Sequence, residues 1–176
     1  MLGNYSRPTQ HLPAPSPLDT LRWMAKFVQK GQYDQRVRGL VEEIVRDLWP
    51  HDYLSEYAAC LNWARANIRY SRDPRTIEQV KDAATTIDTK TGDCDDMAVV
   101  IGTMVGTIGA QVRLVAGAFG HSPKHPENGL PLLSHVWVEA FDPNSGAWVV
   151  LDPVPGRKVD QMVSRLARVV VVEVLR

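Results

Sequence analysis

The 176 residues of this chain include 20 basic and 20 acidic side chains, two cysteines and 44% hydrophobic residues. Balanced charge argues against nucleic-acid or membrane-surface partners, and no apolar run approaches the roughly 20 residues that span a bilayer. The N-terminus also lacks the pattern of a signal peptide, and two cysteines are too few for a disulfide scaffold. We therefore expect one folded domain with a hydrophobic core, in the cytoplasm.

The first 17 residues contain Pro8, Pro13, Pro15 and Pro17 among polar residues. This composition predicts an extended arm, 1–17, that forms neither helix nor sheet. The remainder, 18–176, is predicted to be a single domain. An arm without a core of its own is ordered by docking on another chain, so residues 1–48 are where we expect protein assembly partners to bind.

Apolar residues recur at helical spacing in three segments that follow the arm. The predicted helices are Leu18–Lys30, Asp34–Leu48 and Tyr53–Asn67, and Gly31 and Pro50 end the first two. Each has a charged face for solvent and an apolar face for a core. The sequence therefore predicts a helical N-terminal half.

A six-residue motif, Thr91 to Asp96, comes directly before the apolar run Met97–Ile108. The preceding segment, 76–91, is weakly helical and then polar, which predicts a loop. A helix that starts at Asp93 or Cys94 would place the thiol in its first turn, where free N–H groups favour an anion. Because the run is apolar on nearly all sides, we expect a central buried helix.

After Gly109, a predicted helix C-cap, the pattern changes to the alternation that is typical of strands. A loop is predicted over Gly120–Pro131 and a tight turn over 142–146. A short helix is considered for Lys158–Leu166. These elements predict an α+β fold, in which the central helix packs on an antiparallel sheet, with strands at Gln111–Phe119, His135–Phe141, Ala147–Asp152 and Arg168–Leu175.

Nucleophilic catalysis by a cysteine needs a base and a group that orients the base. Pairing Val138 with Val149 or a nearby residue across the predicted hairpin would bring His135 opposite Asp152. If the N-terminus of the central helix packs against that edge, a Cys94, His135 and Asp152 triad results. The spacing therefore predicts these three residues as catalytic.

The activation of Cys94 depends on His135 in this prediction. The helix end favours a thiolate by about 0.3–1 kcal/mol. The neighbouring Asp93, Asp95 and Asp96 oppose it by roughly 1 kcal/mol each when solvated. The carboxylate charges thus offset the favourable effect of the helix end, so the motif holds the thiol in place and the imidazole must ionise it.

Other residue types give weaker signals. Cys60 lies in an apolar helix face, which predicts inert core. His121 and His125 lie in a polar loop, where exposure to solvent is expected and substrate contact is the alternative. Zinc bound by the three predicted catalytic residues is conceivable, but the paired spacing of zinc ligands is missing, so no metal and no cofactor are expected.

Several blocks of the chain, from about residue 53 to 155, together resemble the transglutaminase-like superfamily. The resemblance implies a papain-like core, Cys94 as nucleophile, His135 as base and Asp152 as orienting acid, with no cofactor and a protein or peptide substrate. Microbial members are more often presumed thiol proteases or amidases than cross-linking enzymes. The blocks are Asn67-Ile68-Arg69-Tyr70, Asp73-Pro74, Thr91-Gly92-Asp93-Cys94-Asp95-Asp96, His135-Val136-Trp137-Val138-Glu139 and Trp148-Val149-Val150-Leu151-Asp152-Pro153.

Two functions follow as hypotheses. The first is a cysteine-dependent amide hydrolase or acyl transferase, in which the thiolate forms an acyl-enzyme. The alternative is a structural or interaction component of a larger assembly. Small members of this type are also similar to proteins of tailed bacteriophages, so a virion or prophage origin is part of that alternative.

Overall fold

The computed structural model describes residues 9–12, 16–72, 78–154 and 165–175, with backbone alone at 9–12 and 78. The helices are α1 (Pro17–Gly31), α2 (Gln35–Val45), α3 (Tyr53–Asn67), α4 (Ala83–Thr89) and α5 (Cys94–Ile108). The strands are β1 (Thr9–Leu12), β2 (Arg69–Tyr70), β3 (Glu78–Lys81), β4 (Thr91–Gly92), β5 (Val112–Phe119), β6 (His135–Asp142), β7 (Ala147–Leu151) and β8 (Leu166–Val174). The expected α+β class is confirmed.

Each helix begins where a short polar side chain can accept a hydrogen bond from a free backbone N–H of the first turn. The helices predicted at Leu18–Lys30, Asp34–Leu48 and Tyr53–Asn67 are therefore present with nearly the predicted bounds. The residues that cap α1 to α5 are Ser16, Asp34, Asp52, Asp82 and Asp93.

Helix α5 forms the centre of the molecule, as its apolar sequence predicts. It packs against α1, α3, α4 and β6, and its residues from Asp95 to Gly106 are buried. Gly102 allows α1 to approach closely, because a Cβ there would lie 3.2 Å from a methyl group of Val28. Gly109, at φ 107°, ends the helix as predicted. The central helix is thus held on several sides.

The main sheet has the strand order β7, β6, β5, β8, and neighbouring strands are antiparallel. Side chains of alternate residues face α5 and form the main core, among them Leu114, Val136, Val138 and Leu151. A smaller cluster of Val115, Phe119 and Trp137 lies apart from that core. The sheet therefore presents its β6 strand directly to the central helix.

The register of the β6–β7 hairpin differs from the prediction. Val138 pairs with Leu151, two residues beyond the expected partner Val149. The reason is that β6 continues through Asp142, which pairs with Ala147, so four residues lie between the strands where five were predicted. The Asp142 carboxylate stabilises this turn by accepting hydrogen bonds from the backbone N–H of Asn144 (2.9 Å) and the hydroxyl of Ser145 (2.6 Å).

The arm and the segment before the motif were predicted wrongly in part. Thr9–Leu12 is a strand that pairs antiparallel with Glu78–Lys81 of the same chain, and α4 follows at Ala83–Thr89 where a loop was expected. Both strands are short and depend on a partner distant in sequence, which periodicity cannot reveal. Residues 1–8 and 13–15 of the arm, Asp73-Pro74 and the helix considered at Lys158–Leu166, up to residue 164, lie outside the described residues.

The division into an arm, 1–17, and one domain, 18–176, stays a prediction. Within the described residues, no helix is both long and apolar enough to cross a membrane.

Candidate active site

The acidic motif builds the start of α5. Asp93 is the N-cap, and its Oδ1 accepts hydrogen bonds from the N–H groups of Asp95 (3.0 Å) and Asp96 (3.4 Å). Gly92 is required by the close approach of Asp96, because a Cβ at Gly92 would lie 2.6 Å from the Cβ of Asp96. Asp96 is fully buried and accepts hydrogen bonds from the backbone N–H (2.8 Å) and the ammonium group (2.5 Å) of Lys81. These contacts fix the first turn rigidly.

Cys94 is the first residue of α5 and is partly exposed. Its thiol donates a hydrogen bond to Oδ1 of Asp95 at 3.5 Å. Burial raises the pKa of the Cys94 thiol, and the charges of Asp95 and Asp93 raise it further, whereas the backbone N–H of Val136 lowers it. The thiol is therefore neutral at neutral pH, and the helix start does not activate it, as the sequence predicted.

His135 and Asp152 form a buried pair where β6 begins and β7 has just ended. His135 Nε2 lies 3.0 Å from each carboxylate oxygen of Asp152, and the two residues are 3% and 1% exposed. The backbone N–H of Val154 donates a hydrogen bond to Asp152 Oδ1 at 2.8 Å, and the His135 ring stacks on Trp137 with 6.0 Å between centroids. An ionised carboxylate only accepts hydrogen bonds, so Nε2 carries the proton and Nδ1 is the basic nitrogen.

The structure thus brings two of the three predicted residues into direct contact and the third beside them. Val136, whose N–H interacts with the Cys94 sulfur, follows His135 in the chain. Among the described residues, however, no hydrogen bond joins Cys94 to His135. Hydrogen bonds between catalytic groups are often long in a free enzyme and shorten when substrate binds, so the missing hydrogen bond does not by itself rule out a triad.

Sequence reasoning missed several residues of this region. The resemblance included Tyr70, yet its proximity to the thiol was not predicted: burial first and the Cys94 charge second raise the pKa of the Tyr70 phenol, and a hydrogen bond with Arg72 lowers it. Asp95 was predicted to oppose ionisation of the thiol by its charge, and its hydrogen bond from the thiol was not foreseen. Arg65, which donates a hydrogen bond to the carbonyl oxygen of Asp152 at 2.7 Å, had no sequence signal, because 87 residues separate the two.

A group of possible metal ligands does exist in the described residues, but it differs from the zinc set considered from the sequence. One ligand atom each of Asp93, Cys94 and Asp95 lie within 4.8 Å of one another. Consecutive residues at a capped helix start approach in this way without a metal, because the backbone N–H groups attract the carboxylates.

The remaining side chains considered from the sequence lie elsewhere. Cys60 is fully buried in the core of α3, and burial raises its pKa to about 12. His121 stacks on Phe119 with 5.9 Å between ring centroids. His125 Nδ1 accepts a hydrogen bond from the backbone N–H of Glu127 at 3.2 Å, so this ring orders its own loop. Substrate contact by either loop histidine stays a prediction.

The structure is an α+β domain in which a cysteine at the start of a central helix lies beside a histidine and an aspartate of an antiparallel sheet. Thiol-dependent enzymes use these three residue types for nucleophilic catalysis. The sequence pattern of the transglutaminase-like superfamily matches residues 39–153. The chain belongs to the transglutaminase-like superfamily, whose members are generally cysteine-dependent enzymes. No curated protein sequence matches it.

Solved structures share the fold at low sequence identity. A presumed protease from Parabacteroides distasonis aligns with a TM-score of 0.56 and 14% identity over 77% of this chain and 27% of its own. A presumed cysteine protease from Cytophaga hutchinsonii aligns with a TM-score of 0.55 and 16% identity over 91% of this chain and 55% of its own. The periplasmic domain of TgpA from Pseudomonas aeruginosa has a TM-score of 0.48 and 23% identity over 73% and 46%. This chain therefore spans about a quarter to about half of these longer chains.

Proposed function

We propose that this domain is a cysteine-dependent amide hydrolase or acyl transferase that acts on a protein or peptide carboxamide. Cys94 is the nucleophile, His135 the base and Asp152 the group that orients the base. The observation that carries the proposal is the buried His135–Asp152 hydrogen bond beside the strand residue whose N–H faces the Cys94 sulfur. Membership of a superfamily of cysteine-dependent enzymes supports it.

The neutral thiol requires general-base catalysis rather than a permanent thiolate–imidazolium pair. His135 Nδ1 takes the proton of Cys94 as the sulfur attacks the carbonyl carbon, and the oxyanion accepts a hydrogen bond from the N–H of Cys94. The imidazolium then protonates the departing amine as the C–N bond breaks, which leaves a thioester. Water or a second amine attacks the thioester and restores the thiol.

An activated ester tests the nucleophile without requiring knowledge of the natural substrate. p-Nitrophenyl acetate should release a burst of p-nitrophenol and acetylate Cys94, as peptide mapping by mass spectrometry would show. His135→Asn should slow this acylation by roughly 100-fold or more, because general-base assistance is lost. His51→Asn is the matched control: His51 is exposed and at φ 66°, a backbone conformation that Asn tolerates, so its rate should be unchanged.

Two outcomes would contradict the proposal. One is acetylation of Cys60 as fast as that of Cys94, and the other is a His135→Asn protein that reacts like the wild type. Either outcome would favour the alternative of a structural component of an assembly, including a virion, in which the fold is kept without a working thiol. Hydroxylamine added to a glutamine-containing peptide and the enzyme then distinguishes the reactions, because acyl transfer yields the hydroxamate and hydrolysis the free acid.

A further inference from the structure

The backbone of Asp152 lies just beyond the hydrogen-bond ladder of the sheet. The ladder between β6 and β7 ends at the pair Val138 and Leu151, and among the described strands β7 lies at the edge of the sheet. The next residue, Pro153, has no N–H to donate. The position of Asp152 therefore has to be set by contacts from outside the sheet.

Arg65 supplies such a contact. It lies in the last turn of α3, which packs against β7. Its guanidinium donates a hydrogen bond to the carbonyl oxygen of Asp152 at 2.7 Å. The carboxylate of the same residue accepts the hydrogen bonds from Val154 and His135. Helix, turn and histidine thus hold Asp152 from three directions.

The contacts of Arg65 give little support for a different role of this side chain. Among the described residues it forms no ion pair with a carboxylate, and its buried Nε has no hydrogen-bond acceptor. A buried donor without an acceptor destabilises a folded protein, and an apolar side chain of similar length would avoid that. Folding stability alone therefore does not explain an arginine here.

We propose that Arg65 is a positioning residue, which holds the Asp152 carbonyl so that the carboxylate keeps the proton on His135 Nε2. The basic Nδ1 is thereby kept available for the thiol. The hydrogen-bond geometry is independent of catalysis, whereas the effect on rate rests on the proposed function. A displaced Asp152 would leave the ring free to rotate or to change its tautomer.

The test compares Arg65→Met with Arg65→Lys in the full chain. The first readout is the NMR signal of the His135 Nε2 proton, which is protected and shifted downfield by its hydrogen bond to Asp152. In Arg65→Met this signal should be lost or broadened while far-UV circular dichroism stays unchanged. In Arg65→Lys it should remain, because an ammonium group can donate to one carbonyl oxygen.

The second readout is acylation by p-nitrophenyl acetate. Arg65→Met should lower the limiting rate by roughly 10- to 100-fold, the usual consequence of a small misplacement, without changing the ester concentration at half-maximal rate. Arg65→Lys should recover most of the rate. Arg36→Met is the control, since Arg36 is exposed and bonds to Asp34 and Asp88.

An unchanged proton signal and rate in a folded Arg65→Met protein would overturn the inference. If Arg65→Met fails to fold, Arg65→Lys decides: retained folding with a lost signal would equally overturn it, and a retained signal would support it. If the wild type is not acylated at all, the proposed function is wrong. The proton signal then still tests the positioning role by itself.

Discussion

The two cysteines of this protein lie in contrasting surroundings. Cys60 is fully buried in the middle of α3, and Cys94 is partly exposed at the first residue of α5. Burial is the largest cause of a raised pKa for both thiols, followed by the charge of Glu56 for Cys60 and of Asp95 for Cys94. The direction of the pKa shift therefore does not distinguish the candidate nucleophile, Cys94, from the core thiol, Cys60.

Three features of Cys94 do distinguish it. Its side chain can be reached from solvent, its sulfur interacts with the N–H of Val136, and the His135–Asp152 pair begins one residue from that amide. Cys60 is fully buried and belongs to the same core cluster as Ala64 and Tyr57. The proposed function therefore requires a base that takes the proton during the reaction rather than a low pKa of the free thiol. Applying the same substitutions and reagents to both cysteines tests this requirement.

The largest difference between the two cysteines is expected in amide turnover when each is replaced by alanine. Cys94→Ala should lower amide turnover by roughly 10⁴-fold or more, the scale seen when a nucleophile is removed. Cys60→Ala should leave the rate within a factor of two, because Cys60 lies in the core, away from the His135–Asp152 pair. Ammonia or amine release from a glutamine-containing peptide measures both. Turnover that persists in Cys94→Ala would refute the assignment of the nucleophile.

The second contrast is in alkylation. Iodoacetamide at pH 8 should modify Cys94 at least roughly 100-fold faster than Cys60, whose reaction requires the core to open. Mass spectrometry of peptides sampled over time gives both rates in one experiment. In concentrated urea the two rates should become similar, which is the internal control. Similar rates in the native protein would mean that access does not separate the thiols.

The charge of Asp95 provides a smaller and more specific test. Because this carboxylate raises the pKa of Cys94, Asp95→Asn should move the midpoint of Cys94 alkylation about one pH unit lower. The rate at pH 7 should rise by about 10-fold, since more thiolate is present. Asp19→Asn, an exposed change in α1, is the control. A midpoint that does not move would show that the charge of Asp95 does not contribute to the pKa of Cys94.

The smallest expected effect concerns folding. Cys60→Ala should lower the free energy of unfolding by about 1 kcal/mol at pH 7, because a small cavity opens in the core. The raised pKa of Cys60 means that its neutral thiol favours the folded state; this contribution is complete below about pH 8.5 and declines as pH rises toward about 12. Urea unfolding should therefore show that the stability advantage of the wild type over the variant at pH 7 is lost at pH 10.

Much of the fold could be predicted because its signals are local. The start of α5 follows from Asp93 before an apolar run, its end from Gly109, and the hairpin from the polar turn after Phe141. The register across that hairpin was wrong by two residues, since composition does not state how many residues a turn uses. Strands β1 and β3 were missed because each is defined only by the other.

In the candidate site, too, some features could be predicted from local sequence signals and others could not. His135 and Asp152 were predicted from their positions at the ends of two strands, and they still meet despite the register error. If the observed register is continued, Asp152 lies across from Trp137. Trp137 is the next residue after His135 on the same face of β6, so Asp152 and His135 are diagonal neighbours, whose side chains are within reach of each other. The contact of Arg65 with Asp152 joins a helix to a strand far along the chain, so no pattern could indicate it.

The sequence by itself determined the α+β class and the helix that presents Cys94, because caps, periodicity and turn residues act over a few positions. It also indicated the superfamily, through the resemblance of its sequence blocks. Only the tertiary structure decided how the thiol is held: neutral, bonded to Asp95 and next to the amide of Val136. Burial and the approach of distant charges set a pKa, and both exist only once the chain has packed.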